Sequence, residues 1–292
     1  PTSIHAGTLK LTGSLHASSA VTVNATATLM GSGTVNGSLS ISSGGKIAPG
    51  ASAGTLSAGS TTLSGTYACE VDGATADRIN VSGDLTIHAG AILAFNTLNA
   101  PTLKSYIIAS YSGTLTGTIA NVTGTPAGFV VVYDTGLKQI RLDQSAFNSW
   151  LSDHGLSGSA AAFDADPDHD GIANGLEFVL GGEPNPAAPG SNSTAILPTL
   201  SSSAGDWVFS FKRKDVSEPA VELSCQWSNQ LLFVSPSSDI PVGATSSITD
   251  GIRVSISEDV PDALTDTINI TVPAAKAAGG KLFLRLKAES AP

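Results

Sequence analysis

Between positions 166 and 177 the chain reads Asp166-Pro-Asp168-His-Asp170-Gly171-Ile172-Ala-Asn174-Gly-Leu-Glu177. Carboxylates recur at every second residue, a glycine follows, and a glutamate closes the run. This matches the loop pattern D-x-[DN]-x-[DN]-G-x5-E at every specified position. Oxygens spaced in this way suit a hard cation, and calcium takes six to eight of them at roughly 2.3–2.6 Å. Asp166, Asp168 and Asp170 are expected to supply alternate carboxylates, with Gly171 making the sharp turn. Ile172 offers its backbone carbonyl, and Asn174 binds directly or through water. Glu177 closes the site, with both oxygens expected to ligate. Asp164 is a further candidate, as a seventh ligand or a helix N-cap, while His169 is expected to point outward. The competing reading is an acidic, solvated turn that holds no metal. The loop points to a calcium-dependent joint, not to catalysis.

The surrounding chain carries little charge. Of 292 residues, 13% are charged and 5% aromatic, against about 25% charged in ordinary globular domains. The net charge of −10 is unevenly spread: residues 1–143 balance, residues 144–187 hold acids but no Lys or Arg, and residues 188–292 are slightly acidic. No basic patch suits a nucleic acid. No stretch approaches the roughly 20 apolar residues of a membrane span. Cys69 and Cys225 each share a strand face with apolar neighbours, so both are expected to be buried, free thiols.

Internal repetition organises the first half. Val21-Thr-Val23-Asn-Ala-Thr-Ala27-Thr-Leu29 aligns with Leu39-Ser-Ile41-Ser-Ser-Gly-Gly45-Lys-Ile47, and again with Leu85-Thr-Ile87-His-Ala-Gly-Ala91-Ile-Leu93. Each copy has apolar residues at period two, a small-residue corner and a second short strand. One unit cannot bury its inner face alone, but stacked units build a continuous core. The expected fold is mainly β, with a right-handed parallel β-helix over 1–143; a sandwich of short hairpins is the alternative.

The carrying segments are Ala6–Leu9, Gly31–Val35, Gly44–Ala51, Gly54–Leu56, Tyr67–Val71 and Asp77–Val81. Through them the stretch from Gly7 to Asp143 resembles the autotransporter-associated β-strand repeat of exported bacterial proteins. The resemblance implies a β-helix in a secreted or cell-surface protein. The family's β-barrel translocator does not follow in this sequence, so the chain is not expected to anchor itself as an autotransporter does.

The period then changes. Apolar residues three and four apart predict a helix from Ser145, its N-cap, to Leu156. A second short helix is expected over 174–180, stopped by Gly181-Gly182 and Pro184. Phe147, Trp150, Leu151, Phe163, Leu176 and Phe178 are expected to form a small core around the loop, with Phe147 and Trp150 also covering the end of the β-helix. This 144–187 segment resembles dockerin-like or thrombospondin type 3-like calcium modules. Residues 188–205 read as a linker. Period two returns over 206–292, with candidate strands at 207–211, 221–223, 231–234, 252–256, 268–272 and 282–286, which suggests an antiparallel β-sandwich. Its ending, Lys281–Lys287, resembles C-terminal domains of verrucomicrobia-like exported proteins.

The sequence offers little for catalysis. Glu70, Asp72, Asp77 and Arg78 form the only charge cluster of the repeat region, and the bland reading is turn capping with a surface ion pair. His5, His16 and His88 are isolated. The leading expectation is a non-enzymatic extracellular structural protein (a stalk, matrix or fibre subunit). It would carry one Ca2+ at an inter-domain joint and associate with itself head-to-tail. The alternative is a surface adhesin or binding module for cell-surface polysaccharide or protein. A β-helix polysaccharide-active enzyme is the third reading.

Overall fold

A computed structural model of the chain describes residues 1–188, 192–233, 237–277 and 281–291, apart from the side chains at 237 and 238. The chain divides into two compact units, Pro1–Gln144 and Ser145–Pro292, and both are mainly β.

Alternation at period two turns one side of each short strand inward, and the first unit assembles such strands into three sheets. The first joins Thr2–Ile4, Val21–Val23, Leu39–Ile41, Thr61–Leu63, Leu85–Ile87 and Leu115–Thr116, all parallel. The second joins Gly7–Lys10, Ala27–Gly31, Lys46–Pro49, Thr66–Asp72, Ile92–Asn99 and Asn121–Thr123, again parallel. The third runs parallel from Ser14–Leu15 through Thr34–Val35, Thr55–Ala58 and Arg78–Val81 to Ser105–Tyr111. It ends on an antiparallel hairpin of Phe129–Asp134 and Gln139–Gln144.

The registers reproduce the sequence alignment. Val21 pairs with Leu39, and Leu29 with Ile47. Leu85 follows through Thr61, and Leu93 through Tyr67. Like residues therefore stack in columns: Ile4, Val23, Ile41, Leu63 and Ile87 are all buried. Thr61 interrupts a neighbouring apolar column at 3% exposure, and its hydroxyl donates to the Gly59 carbonyl at 3.0 Å, so the buried oxygen is satisfied.

A buried carboxylate sits among these columns. Asp77, 1% exposed, accepts the N–H of Gly54 at 2.8 Å and of Glu70 at 2.9 Å. Its own carbonyl accepts the Tyr67 hydroxyl at 3.1 Å. Burial outweighs the two donors and pushes its carboxyl up to about 7. The other members of the cluster also make hydrogen bonds. Asp72 accepts from Asn99 at 2.5 Å, Glu70 from Asn96 at 3.3 Å, and Arg78 donates to Ser110 at 3.1 Å.

In the second unit, one antiparallel sheet orders Thr199–Ser203, Asp206–Lys214, Thr265–Val272, Ile252–Asp262 and Ser247–Thr249. The other orders Ser237–Pro241, Val221–Ser228 and Phe283–Ser290. Apolar residues of both sheets form one core with Phe178, Val179 and Leu180. Arg213, 2% exposed, is held in that unit by Asp266 at 2.6 Å, Glu218 at 2.9 Å and the Gly243 carbonyl at 2.7 Å.

Several strand expectations shift. Residues 231–233 lie outside any strand, and Val234 falls outside the described residues. Within 188–205, Ser193–Ile196 form a 3-10 turn and Thr199–Ser203 a strand. Phe147 and Trp150 pack in the second unit against Phe163 and Phe178 and are not part of the repeat core. Their rings are covered by Phe163, in a turn, and Phe178, on a helix of the same unit. No helix among the described residues is long and apolar enough to cross a membrane.

Cys69 and Cys225 are free and buried, one in each unit. Burial raises both thiols, Cys225 to about 12, so the reactive thiolate is scarce at neutral pH. Alkylation should label neither in the native protein and both in denaturant without reductant.

Asp77 makes a second expectation. A carboxyl raised in the folded state takes up a proton on folding between its ordinary value and about 7. Its share of stability is therefore present at acid pH and lost as pH rises towards 7. Subtracting the pH–stability curve of Asp77→Asn from that of the natural chain should isolate this falling slope. Asp77→Ala strands two backbone donors and should cost about 2 kcal/mol or more, read from denaturant unfolding of the first unit.

Candidate metal centre

The acidic loop lies between two short helices, α1 (Ala146–Asp153) and α2 (Asn174–Leu180). Ser145 caps α1, its hydroxyl accepting from Asn148 N–H at 3.3 Å. Phe147, Trp150, Phe163 and Phe178 form an aromatic cluster with centroid separations of 5.0–5.9 Å. Leu151 is buried as well. The cluster fixes the helices, and the helices fix the loop. Gly175 allows the close approach, because a Cβ there would lie 2.2 Å from the Phe163 ring. Gly181 ends α2 in the left-handed conformation, φ +81°.

The loop then turns its oxygens inward. Gly171 has φ +88°, with open space where a Cβ would be; backbone conformation, not crowding, requires glycine there. The Gly171 N–H donates to Asp166 Oδ2 at 3.0 Å, and the Ile172 N–H to Asp170 Oδ1 at 2.9 Å. The carboxylates of Asp166, Asp168 and Asp170 offer oxygens within 4.8 Å of one another. Asn174 and Glu177, both 0% exposed, enter from the first turn of α2. The Asn174 amide donates to the carbonyls of Ala160 and Ala162, each at 2.8 Å, which leaves its oxygen for the loop.

One oxygen on each of four side chains is buried with no hydrogen-bond partner: Asp166 Oδ1, Asp168 Oδ2, Asn174 Oδ1 and Glu177 Oε2. Buried polar atoms are nearly always paired, and a shared cation is a partner that several oxygens can take at once. The electrostatics agree. Burial, then the three aspartate charges, push Glu177 up to about 7 against the Ser193 hydroxyl bond. Burial, then neighbouring acids, also raise Asp168. The donor set therefore fits a divalent, oxygen-preferring ion. Asp164 and His169 are exposed, and the cluster of mutually close carboxylates holds the three aspartates but neither Asp164 nor Glu177. The side chain of Ile172 is buried.

Sequence reasoning missed Ser193. Its hydroxyl donates to Glu177 Oε1 at 2.6 Å and its N–H to Asp170 Oδ2. It falls in a stretch read as linker; the only local signal is Asn192, whose side chain accepts the Thr194 N–H and caps the turn. No known protein-family model matches the chain, and no curated protein matches it.

Charge crowding gives an expectation that holds without any ion. In chelator, Glu177→Gln removes a buried charge beside three aspartates and should raise the melting point of the second unit. The same variant should lose the calcium response of the natural chain. A melting scan with and without calcium reads both effects.

Proposed function

We propose that the chain is a non-enzymatic structural protein of the cell exterior whose second unit is clamped by one calcium ion. The observation that carries this reading is that Asp166, Asp168, Asn174 and Glu177 each hold a buried oxygen with no hydrogen-bond partner. Asp170 and the Ile172 carbonyl complete the ligand set we assign. The clamp draws the loop onto α2, and α2 carries Phe178, Val179 and Leu180 into the core of the second unit. The ion thereby stiffens the segment that follows the repeats.

We read the first unit as a right-handed parallel β-helix of the autotransporter-associated type. In support, the chain visits the three sheets in rotation, and successive visits to the first sheet begin at residues 2, 21, 39, 61, 85 and 115. Crossovers between parallel strands of one sheet are overwhelmingly right-handed. A structural role is supported by the charge cluster of this unit, whose Glu70, Asp72, Asp77 and Arg78 all make hydrogen bonds within the fold. The partner we propose is a second copy of this chain, head-to-tail, added at the strands Thr2–Ile4, Gly7–Lys10 and Ser14–Leu15, which form sheet edges among the described residues.

One observation favours the adhesin reading. An open concavity of about 590 Å³ in the second unit is lined by Glu218, Glu222, Asp239 and Glu289 together with Val221, Leu223 and Val242. That volume suits a small ligand. A glycan- or peptide-binding screen on the whole chain would move the conclusion to this reading if a ligand engaged those residues.

Calorimetric titration tests the clamp. Extracellular sites bind calcium at about 10⁻⁴–10⁻³ M, which at millimolar calcium stabilises by about 0.4–1.4 kcal/mol. The second unit should melt about 1–5 °C higher with calcium than in chelator, and the first unit should not move. Absence of heat on titrating a stripped sample refutes the clamp. Sedimentation tests self-association, and a single species of 29.3 kDa refutes it.

A further inference from the structure

Ser193 lies outside the twelve-residue loop, yet it holds two of its acids. It is 4% exposed. Its N–H donates to Asp170 Oδ2. Its hydroxyl accepts the Glu183 N–H at 3.0 Å and lies 2.6 Å from Glu177 Oε1. A serine hydroxyl has a single hydrogen, and the Glu183 amide must be the donor in its own contact. That hydrogen is therefore directed at Glu177. Packing enforces the arrangement: a Cβ on Gly182 would lie 2.7 Å from both Ser193 Oγ and Glu177 Oε1.

The two oxygens of Glu177 are thus not equivalent. Oε1 carries a short hydrogen bond from a fixed donor, while Oε2 is buried and unpartnered. The closing carboxylate of a calcium loop usually gives both oxygens and so raises the ligand count. Here the geometry offers one. A free oxygen from each of Asp166, Asp168, Asn174 and Glu177, the Ile172 carbonyl, and an Asp170 oxygen that also accepts a backbone N–H make a set of six. Calcium accepts six to eight ligands in flexible geometries, whereas magnesium demands six.

We propose that Ser193 sets the cation selectivity of the loop by holding Glu177 to one ligating oxygen, Oε2. This weakens the discrimination between calcium and magnesium relative to a loop closed by both glutamate oxygens. The inference rests on the cation site proposed above and deepens it.

The test titrates calcium and magnesium separately into the full chain, and into Ser193→Ala and Ser193→Thr. Ser193→Ala keeps the backbone bond to Asp170 but frees Oε1. The ratio of magnesium to calcium dissociation constants should rise about threefold or more, and Ser193→Thr, which keeps the hydroxyl, should restore it. If Ser193 only orients the carboxylate, both affinities fall together, by roughly 10–100-fold, with the ratio unchanged; that result overturns the proposal and leaves the site standing. An infrared difference spectrum of the natural chain on adding calcium decides the point without any variant. A one-oxygen carboxylate signature is expected for Glu177, assigned by its isotope shift when the glutamate carboxyls carry carbon-13, and a two-oxygen signature overturns the proposal. If neither cation binds the natural chain, the site itself falls, and the role of Ser193 with it.

Discussion

Buried oxygens without hydrogens to face them are the constraint around which the second unit is organised. Each such atom costs about 1–3 kcal/mol if left unpaired, and the loop gathers four. Their positions are imposed from outside the loop. The aromatic cluster of α1 and α2 sets the helix spacing, and the Ala160 and Ala162 carbonyls orient the Asn174 amide. The first turn of α2 then drives Glu177 into the same space, because its next three residues belong to the sheet core. A cation bound there does two jobs: it relieves the oxygens, and it removes the repulsion that opposes the packing. Much of its attraction is spent on the first job, which is why a millimolar site and a small net stabilisation are compatible with the burial of Asn174 and Glu177.

The first unit works under a different rule. Parallel neighbours must match residue by residue on the buried face, but nothing fixes the length of chain between visits to a sheet. Successive starts of the first sheet are 19, 18, 22, 24 and 30 residues apart (2, 21, 39, 61, 85, 115), yet Val23, Ile41, Leu63 and Ile87 stay in one column. Extra residues go to the corners, where lengthening a loop costs only fractions of a kcal/mol. The stacking stops where pairing changes sense. Ser105–Tyr111 takes an antiparallel neighbour in place of another parallel one, and the hairpin beyond it closes that edge of the third sheet.

This division explains what could be read from the residues. Period two over buried columns is a local signal, so the pairing of Val21 with Leu39 was visible as sequence similarity. The spacing of the acidic loop and both helices, down to the Ser145 cap, were also local. The strands Thr199–Ser203 and Ser247–Thr249 left no such mark, because they are exposed along their whole length and rich in Ser and Thr. The partners of Phe147 and Trp150 were equally hidden: helical spacing says that a face is apolar, not which neighbour covers it. Ser193 was missed for the same reason. Its role depends on a contact with Glu177, sixteen residues away in sequence.

Asp77 and Glu177 bring these threads together, since both are buried carboxyls pushed up to about 7. Burying a lone carboxylate is expensive anywhere, and the two units meet the difficulty with different means. Around Asp77 the repeat supplies two backbone N–H groups, one per oxygen, so both oxygens are satisfied by the fold itself. Around Glu177 the fold supplies one hydroxyl and three more acids, so one oxygen is satisfied and the other is left facing negative charge. The first arrangement is complete as a hydrogen-bond network and needs nothing from solution. The second is complete only with a positive partner. The same burial therefore makes one carboxylate a structural tie and leaves the other with an unpartnered oxygen, the one we propose for a cation; what separates them is the donors within reach, not the residue type.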